Sequence, residues 1–398
     1  MNKILIISQY YKPEPFLVTD VVSGLNEKGY EITVLTGMPN YPEGEIYPGY
    51  WAKESCEKGI TVLRVNARPR KKGKINLFLN YFSFAFRATL KVINLKKDYD
   101  VVYVYQLSPV FMAIPALIYK LKTKTKILLY CLDLWPQSLV AGGIKKNSFI
   151  YKIFLFISKL IYFKADKIQI SSRSFKNYFK DELNMDRELS YSPQYANDLF
   201  LKVNSDENLG IDPNKINILF AGNIGEMQSI ETLIAAMYIT NIPELHLNIV
   251  GEGSNKKNLI KLVSDLNLGS NITFHGRKPI EFMPQYYSES DALIVSLKKD
   301  KEISYTLPGK VQSYMASAKP IIGSIDGEAA DVIKLSNCGL VSPSEDAQML
   351  SENLQKFCNL KPEKRRDFGK NGFNYYKKNF TKEIFMDKLI SDLEELSN

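Results

Sequence analysis

The sequence predicts an α/β protein made of two successive doubly wound parallel-sheet domains. Short runs rich in Ile, Val and Leu recur along the 398 residues, each followed by a helical stretch. The runs are continuously apolar rather than alternating, and the whole pattern starts over near the middle of the chain. Continuous apolarity marks strands buried on both faces, as a parallel sheet requires. Strands alternating with helices imply crossover connections and therefore doubly wound units.

In the first half the candidate strands are KILIIS (3–8), EITVLT (31–36), ITVLRV (60–65), VVYVY (101–105), KILLYCL (126–132) and KIQISS (167–172). The second set is NILFAGN (217–223), LHLNIVG (245–251), ITFHG (272–276), ALIVSL (292–297) and PIIGSI (320–325). Between them, the polar and turn-rich stretch 195–215 marks a junction. The expected domains are 1–200 and 201–374, with a helical tail, 375–398, that crosses back onto the first. Two such domains facing each other would hold a ligand at the carboxyl ends of their strands.

Composition narrows the function classes. The chain is 45% hydrophobic and 24% charged, values of an ordinary globular protein. No apolar run approaches the roughly 20 residues of a membrane span, and MNKILIISQYY lacks the apolar core and cleavage site of a signal peptide. Four scattered cysteines, at 56, 131, 338 and 358, have neither disulfide-framework nor zinc spacing. The expectation is a cytosolic, reduced protein. Two histidines, 246 and 275, argue against a His-based metal site or a Ser-His-Asp triad.

Two strand-to-helix loops carry the candidate chemistry. After NILFA comes GNIGEMQSIETLIAAM (222–237), in which Gly222 and Gly225 allow close backbone approach and the following helix offers free N–H groups. Such a turn suits a phosphate but also serves as a plain tight turn. The second loop, EISYTLPGKVQSYMASAKPIIGS (302–324), feeds a helix through Pro308 and Gly309, with Lys310 and Gln312 in its first residues. A lysine at a helix N-terminus again suits an anion.

The string PGKVQSYMASAKPII resembles the C-terminal signature of retaining glycosyltransferases of family 4, which have the GT-B fold. More closely, it resembles the branch of fucosamine-type transferases typified by WbuB. The matching pieces are residues 10–50, DLWPQSL (133–139), GNIGEMQ (222–228), GEGSNKKNL (251–259), HGRKP (275–279) and DGEAADVI (326–333). The resemblance spans both domains in order. It implies transfer of a sugar from a nucleotide diphosphate donor, with retention and without an obligatory metal or other cofactor. In place of metal, backbone N–H groups, a helix N-terminus and fixed cations would stabilise the departing diphosphate.

The resemblance also implies the site. The donor would meet Gly222, Asn223, Gly225, Gln228, Gly251, Arg277, Lys298, Ser304, Thr306, Leu307, Pro308, Gly309 and Gln312. The wider family has two Glu eight residues apart where this chain has Ser304 and Gln312, and an Arg and a Lys where it has Asn223 and Gln228. Gln312 can still bond a ribose hydroxyl. The phosphate charge falls to Lys310 first, then Arg277 and Lys298. Asp133, just after a strand, is expected to hold sugar hydroxyls or accept the acceptor's proton, or else to cap the segment 134–140. Glu14 and Thr19, in and after the first strand-to-helix loop, are acceptor contacts or loop braces. Asp98-Tyr99-Asp100 spells a D-x-D but precedes its strand, so a helix-to-strand turn is expected. ISQYYKPEP contains no Gly-x-Gly, which excludes a dinucleotide reading of the first domain.

The net charge of +9 is unevenly placed. Residues 1–200 hold 29 Lys and Arg against 17 Asp and Glu, and residues 201–398 hold 23 against 26. Two stretches, 64–97 and 134–165, have no acid and interleave aromatics with basics, among them Lys71, Lys72, Phe82, Lys145, Lys152 and Lys159. The last three are spaced by seven, a single stripe on one helix. Nucleic acid would use such a surface for stacking and phosphate contact. An anionic membrane would take aromatics at its interface and lysines at its headgroups; a solvated face with core aromatics is the plainer alternative. The expected partners are a nucleotide-sugar, a lipid-diphosphate-linked saccharide and an anionic membrane, on the inner face of the cytoplasmic membrane, and no nucleic acid. A nucleotide-sugar 2-epimerase on the same fold and an inactive assembly subunit are the rival readings.

Overall fold

The computed structural model describes residues 3–42, 44–71, 73–141, 143–202 and 208–397. They form two compact units, Met1–Ser192 with Phe385–Asn398, and Pro193–Ile384. The expected boundaries at 200 and 375 therefore move to 192 and 385.

The first unit holds β1 (Lys3–Ile7), β2 (Glu31–Gly37), β3 (Glu54–Glu57), β4 (Ile60–Val65), β5 (Val101–Gln106), β6 (Lys126–Cys131), β7 (Lys167–Ile170) and β8 (Ser190–Tyr191). Their order is β3-β4-β2-β1-β5-β6-β7-β8. Every neighbouring pair is parallel except β3 with β4. Sequence pattern located six of these eight strands. β3 escaped because ESCE is polar and mostly exposed at the sheet edge, and β8 because it is only two residues long.

The second unit holds β9 (Ile216–Ala221), β10 (Leu245–Val250), β11 (Ile272–Gly276), β12 (Ala292–Ser296), β13 (Ile321–Ser324) and β14 (Gly339–Ser342). The order is β11-β10-β9-β12-β13-β14, parallel throughout. Here only the short edge strand β14 was missed. Strand order reverses between β1 and β5 in one sheet and between β9 and β12 in the other. Loops leaving the carboxyl ends of such neighbours splay apart, and the crevice they leave is where ligands bind in open α/β sheets.

At the opposite, amino end of the first sheet, Lys3 explains the D-x-D. Its Nζ lies 2.9 Å from the Asp98 carboxylate, and its backbone N–H donates to Asp100 at 3.1 Å. The two aspartates tie β1 to the start of β5, the helix-to-strand turn the sequence implied.

The helix Pro362–Asn379 stays with the second unit, where Gly369 lets it approach the Ala318 carbonyl closely. The final helix, Lys382–Ser397, returns to the first. Phe385 packs on Tyr130 at 5.5 Å between rings. Its fully buried Asp392 accepts from Gln169 at 2.7 Å and Ser190 at 2.6 Å, and pairs with Lys167 at 2.8 Å and Lys388 at 3.0 Å. Burial alone would raise this carboxyl, but those four partners hold it below its ordinary range. Its stabilisation is thus present above the ordinary carboxyl pKa near 4 and is lost as pH falls through the lower folded value. Asp392→Ala leaves buried Gln169 and Ser190 without their acceptor and Lys167 with only the exposed Glu395 carboxylate. It is expected to cost about 3 kcal/mol, read by urea denaturation, and to expose the last helix to proteolysis first.

Candidate functional site

The loops after β9 and β12 meet at Lys310. This residue opens the helix Gly309–Ala316, which follows extended Pro308 and has no side-chain cap; the Val311 N–H turns back to the Pro308 carbonyl at 2.9 Å, leaving the N–H groups ahead of it for a ligand. The amine donates to Gln228 Oε1 at 2.8 Å and lies 3.9 Å from the centre of the Phe220 ring. Lys310 forms no ion pair among the described residues, and burial drops its amine to about 7.

The cradle exists because Gly222 has no side chain. A Cβ there would stand 2.7 Å from Lys310 Cε and 2.8 Å from its Nζ, and the backbone sits at φ +142°. Gly251 and Gly253 continue the same packing, since their Cβ atoms would lie 1.8 Å from the Gly222 carbonyl and 2.2 Å from that of Ile224. Backbone bonds from Gly222 to Val250 and from Ile224 to Glu252, both 2.9 Å, lock the two loops together. Gly253 lay within a quoted motif but was not singled out; close packing of two loops cannot be read from one glycine.

The other sequence-predicted donor residues divide. Lys298 is half-buried, and its backbone N–H donates to Met227 at 3.0 Å, bringing it to the same loop pair. Asn223 is exposed at the turn, with its amide crowding Gly225. Gln312 is 1% exposed and its Oε1 has no hydrogen-bond partner. Thr306 is half-buried at the end of the 3₁₀ turn Ile303–Tyr305, whereas the Leu307 side chain belongs to the hydrophobic core. Ser304 bonds the Lys301 carbonyl at 2.6 Å and packs under Gly327. Arg277 is exposed on the loop after edge strand β11, two strands from β9. The helix expected directly after the Gly222 turn begins only at Ile230, behind the 3₁₀ turn Glu226–Gln228 and Ser229 at φ +45°.

In the first unit, Glu14 is 3% exposed. Its carboxylate accepts backbone N–H bonds from Tyr11 at 3.1 Å, Asn40 at 2.9 Å and Tyr41 at 2.8 Å. Burial nevertheless raises it to about 7. Glu14 thereby braces two loops at the carboxyl ends of β1 and β2. Thr19 sits in the first turn of the helix Val18–Glu27, its hydroxyl buried and unpartnered. Asp133 accepts from the Ser138 hydroxyl at 2.7 Å, and burial raises its carboxyl against the pull of Ser138, Ser108 and the Leu134 N–H.

Sequence reading missed what surrounds Asp133. Tyr81 is hydrogen-bonded with both Ser108 and Arg70, and Ser108 also accepts from the Trp135 indole at 2.7 Å. These residues come from three distant segments, so no local motif announces them.

The acid-free stretches fold into two helices with exposed apolar stripes. On Lys74–Ile93 these are Ile75, Phe78, Phe82, Phe86, Leu90 and Ile93; on Phe149–Lys164 they are Phe149, Ile153, Phe156, Leu160 and Phe163. Phe82 is 56% and Phe156 69% exposed. The Phe78 and Phe154 rings meet at 5.8 Å, which sets the helices side by side. A groove of about 620 Å³ opens beside Phe156, Lys159, Leu160 and Phe163. Lys152 and Lys159 flank the second stripe, but Lys145 precedes that helix, so the three-lysine stripe is reduced to two. Lys71 is exposed, and Lys72 lies outside the described residues. Among the described residues, no helix is long and apolar enough to cross a membrane.

Residues 202–375 match the family of Glycosyl transferases group 1. The probable glycosyltransferase WbjE of Pseudomonas aeruginosa is 24% identical over 63% of this chain and 63% of its own, so the alignment spans under two thirds of that relative. The putative colanic acid biosynthesis glycosyl transferase WcaI of Escherichia coli K12 is 22% identical over 79% of this chain and 81% of its own. The Anabaena protein HepE, solved with UDP and glucose, superposes with a TM-score of 0.72 at 14% identity, covering 99% of this chain and 100% of that one. The chain has the GT-B fold, and its second unit carries the region that matches the group 1 glycosyltransferases.

Proposed function

We propose that this protein is a retaining glycosyltransferase of family 4, in the WbuB-like branch, working in O-antigen, capsule or related polysaccharide synthesis. It moves an N-acetylaminosugar or hexose from a nucleotide diphosphate donor, UDP-linked, onto a lipid-linked acceptor. The observation that carries this reading is the Lys310 cradle: a cation without a counter-ion, beside a glycine turn and a helix N-terminus, at the switch point of the second sheet. The likeness to WbjE and WcaI, and the UDP and glucose in the HepE structure, support it.

In the reaction, the bond from the donor's anomeric carbon to the diphosphate oxygen breaks, and the acceptor hydroxyl bonds to that carbon. Lys310 and the free N–H groups meet the charge that builds on the leaving diphosphate, which needs no metal. Gln312 Oε1 accepts from a ribose hydroxyl. Asp133, its carboxyl raised by burial, takes the acceptor's proton. The two apolar stripes and their lysines dock the protein peripherally on the inner face of the cytoplasmic membrane.

A nucleotide-sugar panel with a lipid-linked acceptor, read by mass spectrometry, tests the reaction. Transfer in the presence of EDTA is expected; conversion of the donor without acceptor would instead indicate a 2-epimerase. Lys310→Met should weaken UDP binding about 10- to 100-fold, the worth of a charge-assisted hydrogen bond.

Bound diphosphate restores the proton to Lys310, whose free amine releases it near pH 7. Wild-type affinity for UDP should therefore hold level below about pH 7 and fall above it, by up to about tenfold per pH unit. The Met variant should show a flat profile. Calorimetry from pH 6 to 9 decides this, and a flat wild-type profile would refute the assignment.

Liposome flotation tests docking. Wild type should float with anionic vesicles, and the double variant Phe82→Ser, Phe156→Ser should remain at the bottom while keeping its circular dichroism. Lys152→Gln with Lys159→Gln should weaken binding by about 2 kcal/mol at low salt, and by less as salt rises.

A further inference from the structure

In the first unit, Arg64 on β4 and Arg70 just after it form no ion pair among the described residues. Arg70 is half-buried in the loop after β4. Its backbone N–H donates to Asn40 at 2.7 Å, its Nη1 donates to the Tyr10 hydroxyl at 3.1 Å, and its guanidinium lies 5.1 Å from the Tyr41 ring centre. Arg64 lies 5.2 Å from the Tyr50 ring centre and bonds the Ser55 hydroxyl at 3.0 Å, with its Nε and Nη2 buried and unpartnered. Of the acids that act on Arg64, Glu57 is committed to Lys12 and Glu14 accepts three backbone N–H bonds.

A cation withdrawn from water without a counter-ion is costly, and an arriving anion removes the cost. Arg70 is the accessible member of the pair; Arg64 adds positive potential behind it. Arg70 is also connected to Asp133 through Tyr81 and Ser108, each hydrogen-bonded to the next. An anion held at Arg70 is therefore fixed relative to the carboxylate that takes the acceptor's proton. A guanidinium's planar fork suits phosphate. The donor's diphosphate is already assigned to Lys310 of the second unit, which leaves the acceptor's.

We propose that Arg70 binds the diphosphate of the lipid-linked acceptor and so positions the accepting sugar hydroxyl against Asp133. This rests on the transferase reading above, and it adds the residue that selects a diphosphate-linked acceptor.

The test has a binding arm and a kinetic arm. A short isoprenyl diphosphate, free of sugar, is titrated into wild type, Arg70→Gln, Arg70→Lys and Lys310→Met with UDP saturating. Wild type and the Lys310 variant should bind it, Arg70→Gln about 10- to 100-fold more weakly, and Arg70→Lys in between. In the kinetic arm, the same saccharide is offered on a lipid diphosphate and on a neutral alkyl chain. Arg70→Gln should raise KM for the first by a similar factor and leave KM for the second, and the affinity for UDP, unchanged. Equal loss on both acceptors would overturn the proposal in favour of a structural role or recognition of an acidic sugar. Wild type that ignores the isoprenyl diphosphate would also overturn it, while leaving transfer itself intact. Binding at Arg70 without transfer to either acceptor would sink the transferase reading and keep the anion site.

Discussion

The constraint on which the second unit's site depends is the desolvation of one ammonium group. Lys310 is pressed against an aromatic face and a glycine backbone, with a neutral amide as its hydrogen-bond partner. The ring quadrupole offsets part of the lost hydration, but not enough to keep the amine at its ordinary pKa. Several local features follow from making room for it. Gly222 must lack a side chain, Gly251 and Gly253 must let the neighbouring loop close over that turn, and Gln228 must turn its oxygen to the amine. A carboxylate in the same place would satisfy the lysine permanently and leave nothing for a ligand to gain.

The first unit repeats that logic with different chemistry. Arg70 bonds Tyr10 and lies against the Tyr41 ring, and Arg64 lies against the Tyr50 ring; Glu57 and Glu14 act on Arg64 without forming an ion pair with it. Glu14 forms no ion pair with either; its oxygens accept three backbone N–H groups and hold two loops in place. The lysines of the two exposed helices are of another kind. They are largely solvated, so each costs little when free and contributes little alone; only many together, beside an apolar stripe, add up to attachment.

Much of the fold was legible. Eleven of the fourteen strands could be located because a strand buried on both faces must be continuously apolar over its length, and the three that were missed are short edge strands without that constraint. The D-x-D could be set aside because its place ahead of β5 is a matter of chain order. The returning tail was foreseen as well, although the buried carboxylate that anchors it, Asp392, looks like any charged residue on a surface helix until Gln169, Ser190 and Lys167 are brought to it. The three-lysine stripe was half right, since periodicity says nothing about where a helix begins.

By itself, then, the sequence determined the two α/β units, the order of their elements, the loops that carry Gly222 and Lys310, and the uneven placement of charge. These rest on local pattern: apolar runs, turn residues and spacing. Only the tertiary structure decided that Lys310 is desolvated by Phe220 and Gly222, that Gln312 keeps an unpartnered oxygen, and that Arg70, Tyr81, Ser108 and Asp133 share one polar network. Those properties depend on which distant groups exclude water from a side chain and which ones bond to it. Burial and partner choice are set by contacts far apart in the chain, which no local pattern encodes.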